Sequence, residues 1–276
     1  MQSLSWCKTV QIAFDMSRTA TVLFFLFYAS WSDYKTREVS DTVWLLFAPI
    51  AFILTFTEIM LYDPSQLLLY GICFGVTSLL AIILLYSGAF GGADAKAFMC
   101  LALALPFYPE GLFMPTLQGL SPISQFLFPM SIFNNSVLLA AATALYMLLR
   151  NVFWHWKAHE SLFKNFKDES LGKKILVALT GYKMPVGKLK EKWHLYPLED
   201  IENLENGFKR KLLVMPNDEG RNEKVERLDK AVESGKISNA VWATPGLPML
   251  IFITAGLVIA LFLGDIVWIF LRLLLG

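Results

Sequence analysis

The sequence is poor in the residues that most hydrolytic and redox chemistry requires. Its three cysteines, Cys7, Cys73 and Cys100, form no C-x-x-C pair and no metal-ligand spacing. Cys73 and Cys100 lie in apolar runs and read as small packed hydrophobes. The three histidines, His155, His159 and His194, include no H-E-x-x-H, so zinc proteolysis has no ligand set. No G-x-S-x-G motif offers a serine nucleophile in an apolar segment. Neither a metal nor a cofactor is therefore expected. Charge is scarce too. Asp, Glu, Lys and Arg make up 17% of the residues, against about 25% in soluble domains.

What remains is apolar. Hydrophobic residues form 55% of the 276 positions and the mean hydropathy is +0.50, which points to an α-helical polytopic membrane protein. The charges that exist are segregated. Of 24 Lys plus Arg, 17 fall between His155 and Ala240, with 14 of the 23 acidic residues and all three histidines. That stretch reads as a small α/β cytoplasmic domain, with the chain dividing at 1–153, 154–241 and 242–276. Within it Lys174–Leu179 and Arg210–Met215 are expected as strands and Glu219–Glu233 as a charged helix. Its interleaved charges argue against a nucleic-acid surface.

Six membrane spans are expected, over 10–31, 43–61, 67–86, 95–105, 126–153 and 247–275. The fourth is short for a hydrocarbon core that needs roughly 20 residues, so tilting, local thinning or extension through Gly91 and Gly92 is expected. The apolar run from Thr19 ends in Ala29-Ser-Trp31, a poor small-x-small cleavage site, so it is read as a retained helix. Asp15 and Arg18 are spaced i, i+3 and can pair on the first helix. Trp242–Pro248 reads as the re-entry into the last span, with Pro248 suited to a helix start.

Loop charges set the topology. Lys35 and Arg37 follow the first span, Lys96 opens the fourth, and Arg150 and Lys157 follow the fifth. Between them, 57–66 carries Glu58 and Asp63 without a basic residue, and 106–129 carries Glu110 alone. The positive-inside rule then places these basic loops in the cytoplasm and the chain ends outside. Lys8 and Arg18 fall on the outer side, against the trend. The consequence concerns two aspartates. Asp33 ends the first span and Asp94 begins the fourth, so both belong to one leaflet at similar depth. Asp265, towards the opposite face, does not join them.

An ionisable side chain at membrane depth is costly and usually functional. Asp94 can instead be an N-cap of the fourth helix, and Asp33 an interfacial aspartate at a helix end. Gly91 and Gly92 are either a tight turn or a place for a backbone to approach closely. Lys96, Lys35 and Arg37 read first as snorkelling topology determinants, and Ser40-Asp41 as a helix cap. Two nearby carboxyls could also serve as the relay of a small ion or proton transporter. The absence of internal repeats and the clustering of both acids at one face argue against that alternative.

Trp31-Ser-Asp33-Tyr-Lys-Thr-Arg37-Glu-Val39 and Gly91-Gly-Ala-Asp94-Ala-Lys96 resemble the two catalytic segments of the GxGD-type aspartic peptidases. The resemblance is to the type IV prepilin peptidases and their archaeal preflagellin branch. Ala93 departs from the pattern, standing where the motif has its second glycine. The resemblance implies Asp33 and Asp94 as a catalytic pair supported by Gly91, Gly92 and Lys96. It implies a multi-pass protein of the cell membrane with its active site near the cytoplasmic face. Its partners would be the lipid bilayer and preflagellin or prepilin-like precursors with class III signal peptides, from which a short basic leader is removed. Bacterial relatives carry paired C-x-x-C motifs and methylate their products; without such motifs, peptidase activity alone is implied.

Overall fold

Long apolar runs bounded by polar turns fold here as long helices, and the charged stretch folds separately. The computed structural model describes residues 2–116, 120–158, 162–204, 207–214, 220–245 and 248–275, without the side chains of 2–8, 157–158, 203–204 and 207. His159, Met215, Glu219 and Leu247 lie outside the described residues, as do the side chains of Cys7, Lys8 and Lys157. Two compact units emerge: residues 1–140 with 248–276, and residues 141–247.

The first unit contains α1 (Gln2–Thr36), α2 (Asp41–Tyr62), α3 (Leu67–Tyr86), α4 (Gly92–Ala104), α5 (Pro122–Phe126) and the start of α6 (Phe128–Ala158). The chain returns to it, after the second unit, in α10 (Met249–Phe262) and α11 (Ile266–Leu275). Among the described residues, four helical segments are long and apolar enough to cross a membrane: Thr9–Thr36, Asp41–Tyr62, Pro64–Tyr86 and Phe128–Trp156. The α10–α11 pair makes a fifth if its 56° bend is part of one span. The expected fourth span is α4. At 13 residues it extends only about 20 Å, short of a hydrocarbon core of about 30 Å.

α4 is instead an interior helix. It packs against α1, α2, α3 and α10, and the close approach uses small side chains: Ala95, Ala97, Cys100, Ala102 and Ala104 are all buried. Ending inside a protein leaves the last helix carbonyls without intrahelical partners. Neighbouring helices satisfy them. Thr55 Oγ1 donates to Ala104 O (3.0 Å), the Tyr70 hydroxyl to Leu103 O (3.1 Å) and Cys73 Sγ to Pro106 O (3.4 Å). Cys73 is thus buried as expected, but it also acts as a weak donor.

The last expected span is not continuous. Gly264 (φ +93°) interrupts it, a conformation that favours glycine. The groups exposed by the break are taken up by Asn135 of α6, whose amide donates to Gly264 O (3.0 Å) and accepts from Ile266 N–H (3.0 Å). Asp265 caps α11 through Trp268 N–H and accepts from Asn134. An apolar run does not reveal such a break.

At the other end of α1 and α2 sits a buried charge cluster. Arg18 pairs with Asp15, as the spacing predicts, and reaches across to Glu58 of α2 at 2.9 Å. All three are buried. The Glu58 contact joins two helices that sequence spacing could not connect.

The second unit holds the end of α6, then α7 (Leu171–Thr180), β1 (Tyr182–Pro185), α8 (Val186–Glu191), β2 (Leu195–Pro197), β3 (Glu199–Leu204), β4 (Gly207–Leu212), α9 (Arg221–Glu233) and β5 (Ala240–Pro245). β5 is the centre of an antiparallel sheet in the order β1-β5-β2, and β3-β4 form a hairpin. Two expectations fail here. Lys174–Leu179 is helical, capped by Ser170 Oγ, because a short apolar run does not distinguish strand from half-buried helix. Trp242 does not begin a return to the membrane. It lies in the central strand, fully buried and stacked on Phe163 at 4.9 Å. The Arg210 strand and the charged α9 appear where expected, at slightly different bounds.

Arg18→Met should leave Asp15 and Glu58 as uncompensated buried carboxylates and cost about 3–5 kcal/mol, read as a lower thermal midpoint of the detergent-solubilised protein. A second prediction concerns Glu169. Desolvation opposes it, but the Lys173 ammonium (2.9 Å), the Leu212 N–H (3.0 Å) and nearby Lys209 hold this carboxyl below its ordinary range. A depressed folded pKa adds stability above the unfolded value and loses it as pH falls through the folded one. Protection of the Leu212 amide, taken relative to its intrinsic exchange rate, should therefore fall as pH drops below the ordinary glutamate range, and Glu169→Gln should remove that pH step.

Candidate active site

Asp33 sits one turn before the end of α1, partly buried. The helix stops because Arg37 adopts a left-handed backbone (φ +57°), the geometry that commonly ends helices. Its N–H returns to Asp33 O at 3.0 Å. Hydroxyls hold the turn: Ser32 Oγ donates to Glu38 O (2.8 Å), and Thr36 Oγ1 lies within reach of Ser32 O and Glu38 O. This arrangement keeps the Arg37 guanidinium within electrostatic range of the Asp33 carboxyl. Lys35 turns away onto Trp31, 4.3 Å from the ring centre. Ser32 and Thr36 were not signalled by the sequence; hydroxyls one helical turn apart at a helix end are the only cue they offer.

Asp94 lies in the first turn of α4, partly buried. Gly91 is the N-cap, and its N–H donates to Asp94 Oδ2 at 2.9 Å. The aspartate therefore caps its helix from inside the first turn rather than from the cap position, and its negative charge suits the positive end of the helix dipole. The glycines differ in role. A Cβ at Gly91 would stand 3.3 Å from Asp94 Oδ2, whereas one at Gly92 would meet nothing within 4 Å. Gly92 is thus the position open to an approaching chain. Ala93 is helical with no positive φ, so the missing motif glycine imposes no strain here.

α1 and α4 are in contact, and Asp33 and Asp94 lie within electrostatic reach of one another. Lys96 points to α2, where its ammonium pairs with Asp41 at 2.5 Å in an exposed contact. Ser40 caps α2 as expected, accepting from Thr42 N–H. Among the described residues no group of three or more His, Cys, Asp or Glu side chains could hold a metal ion. The arrangement offers a carboxyl on α1 and another on α4 near a glycine opening, with the far end of α4 fixed by the Thr55, Tyr70 and Cys73 contacts.

Several helices long and apolar enough to cross a bilayer define the class as a multi-pass membrane protein. Residues 20–145, which include both aspartates, match the type IV leader peptidase family, and residues 173–266 match the archaeal peptidase A24 C-terminus type II. The chain is thus similar to leader peptidases of the A24 type over both stretches. Similar proteins include the preflagellin peptidase of Methanococcus maripaludis, 25% identical over 87% of this chain and 92% of that one. Those of Methanococcus voltae and Methanocaldococcus jannaschii are each 27% identical, over 87% and 89% of this chain and 92% and 94% of theirs.

Ala93→Gly, which restores the motif glycine, should lower stability by about 1 kcal/mol through helix propensity alone. A thermal midpoint higher than that of the parent protein would show that Ala93 is strained after all.

Proposed function

We propose that this protein is a membrane aspartic endopeptidase that removes the short basic leader from preflagellins and type IV prepilin-like precursors. Asp33 and Asp94 are its catalytic pair. The observation that supports the reading is the packing of α1 against α4, which puts the two carboxyls within electrostatic range of one another, near the open Gly92. The relatives' names support the substrate class. The basic residues Lys35, Arg37 and Lys96 around both acids support a cytoplasmic location for the site.

Two close carboxyls cannot both be charged cheaply, so the pair holds one proton. The ionised carboxylate takes a proton from a water molecule, whose oxygen bonds to the scissile carbonyl carbon. The protonated carboxyl gives its proton to the carbonyl oxygen. A tetrahedral diol forms. On collapse the newly protonated carboxyl gives its proton to the amide nitrogen as the C–N bond breaks, while the other carboxylate takes a proton from a diol hydroxyl, releasing an amine and a carboxylic acid and leaving one proton on the pair. Titration belongs to the pair rather than to either residue.

Asp33→Asn and Asp94→Asn should each reduce leader removal by about 10²–10⁴-fold while leaving membrane insertion unchanged. The assay follows the shortened product when membranes containing each variant are incubated with a preflagellin. Full processing by either variant would remove the pair from the mechanism.

A further inference from the structure

The two exposed helices of the second unit face solvent in opposite ways. α9 buries Val225, Leu228 and Ala231 and turns Asn222, Glu223, Glu226, Arg227 and Lys230 outward, the normal pattern of a soluble amphipathic helix. α7 buries Val177 and Ala178 and turns its other apolar residues outward. Leu171, Ile175 and Leu176 are 76%, 57% and 45% exposed. No charge lies on that face, because both lysines of α7 turn aside: Lys173 pairs with Glu169 at 2.9 Å, and Lys174 Nζ donates to Lys167 O at 3.2 Å.

The position of α7 says what covers it. Asn151 of α6 donates through one amide nitrogen to Ala178 O (2.8 Å) and Gly181 O (2.7 Å), which ties the end of α7 to a membrane-spanning helix. The tie falls at the end of the apolar part of that helix. Arg150 lies over the Tyr182 ring at 3.8 Å, and beyond it Phe153, Trp154 and Trp156 are exposed. Exposed tryptophans beside basic residues at a helix end mark the headgroup level of a bilayer. Leu171 lies seven residues from Ala178, so all of this face is within about 10 Å of that level.

We propose that α7 is an interfacial helix that docks the second unit on the bilayer surface, with Leu171, Ile175 and Leu176 at the headgroup–acyl boundary. The occupant of this face is lipid. Such helices bury their apolar side about 5–10 Å into the interface. The proposal is independent of the catalytic reading. It makes the second unit a body held against the membrane by its own helix as well as by its chain connections.

The test uses the full chain in liposomes, in a Cys7→Ser background, since Cys73 and Cys100 are buried. An environment-sensitive nitrobenzoxadiazole label is placed at Ile175→Cys and, as a control on α9, at Glu226→Cys. Phosphatidylcholine carrying nitroxides high on the acyl chain is the quencher. The label at 175 should show blue-shifted emission, quenched to less than half its intensity, while the label at 226 remains water-like and unquenched. Water-like emission at 175 would overturn the proposal. So would blue-shifted emission without lipid quenching, because a protein surface would then cover the face. Labels at Leu171→Cys and Leu176→Cys repeat the measurement should Ile175→Cys fail to insert.

Discussion

A charge at membrane depth must find a partner, and the first unit is arranged around that constraint. At one end of α1 and α2, Arg18 is held between Asp15 and Glu58. Asp33 and Asp94 are left with a different solution. They approach one another, with the Gly91 N–H on one and Arg37 within range of the other. Two carboxyls within range of one another are unfavourable for stability, and in the proposed reaction the same arrangement would serve proton transfer.

Support for α4 is a matter of satisfied backbone. A 13-residue helix cannot cross a bilayer, and its exposed carbonyls would be intolerable in lipid. Buried against α1, α2, α3 and α10, with side-chain donors from Thr55, Tyr70 and Cys73, the same helix becomes a fixed platform. Asn135 solves the same problem at the α10–α11 break. Glycine is needed where helices nearly touch: a Cβ at Gly256 would lie 2.3 Å from Ser136 Oγ and 2.8 Å from Ile132 O.

The second unit shows where a periodic pattern stops being informative. The stretch from Lys173 to Leu179 carries lysines and aliphatics in an order that fits a short strand as well as a helix. The Ser170 cap and the packing of Val177 and Ala178 select the helix. Ala240–Pro245 looks like an approach to the membrane because apolar residues follow it. Its alignment between β1 and β2 makes it the strand on which the sheet is built.

Several features were legible in the sequence alone: the helical membrane class, the third helix at its observed bounds, the Asp15–Arg18 pair and the two aspartate segments. Each is a local property, set by hydropathy, by i, i+3 spacing or by a short motif. Only the tertiary structure decided that α4 is an interior platform, that Glu58 completes the Arg18 cluster, that the last helix breaks at Gly264 and that Trp242 is a sheet core. Those outcomes depend on which donor reaches which carbonyl across tens or hundreds of residues, information that no local window of the chain contains. Asp33 and Asp94 belong to both kinds. The sequence singles them out and loop charge leads one to expect a shared leaflet, whereas their electrostatic proximity depends on the α1–α4 contact.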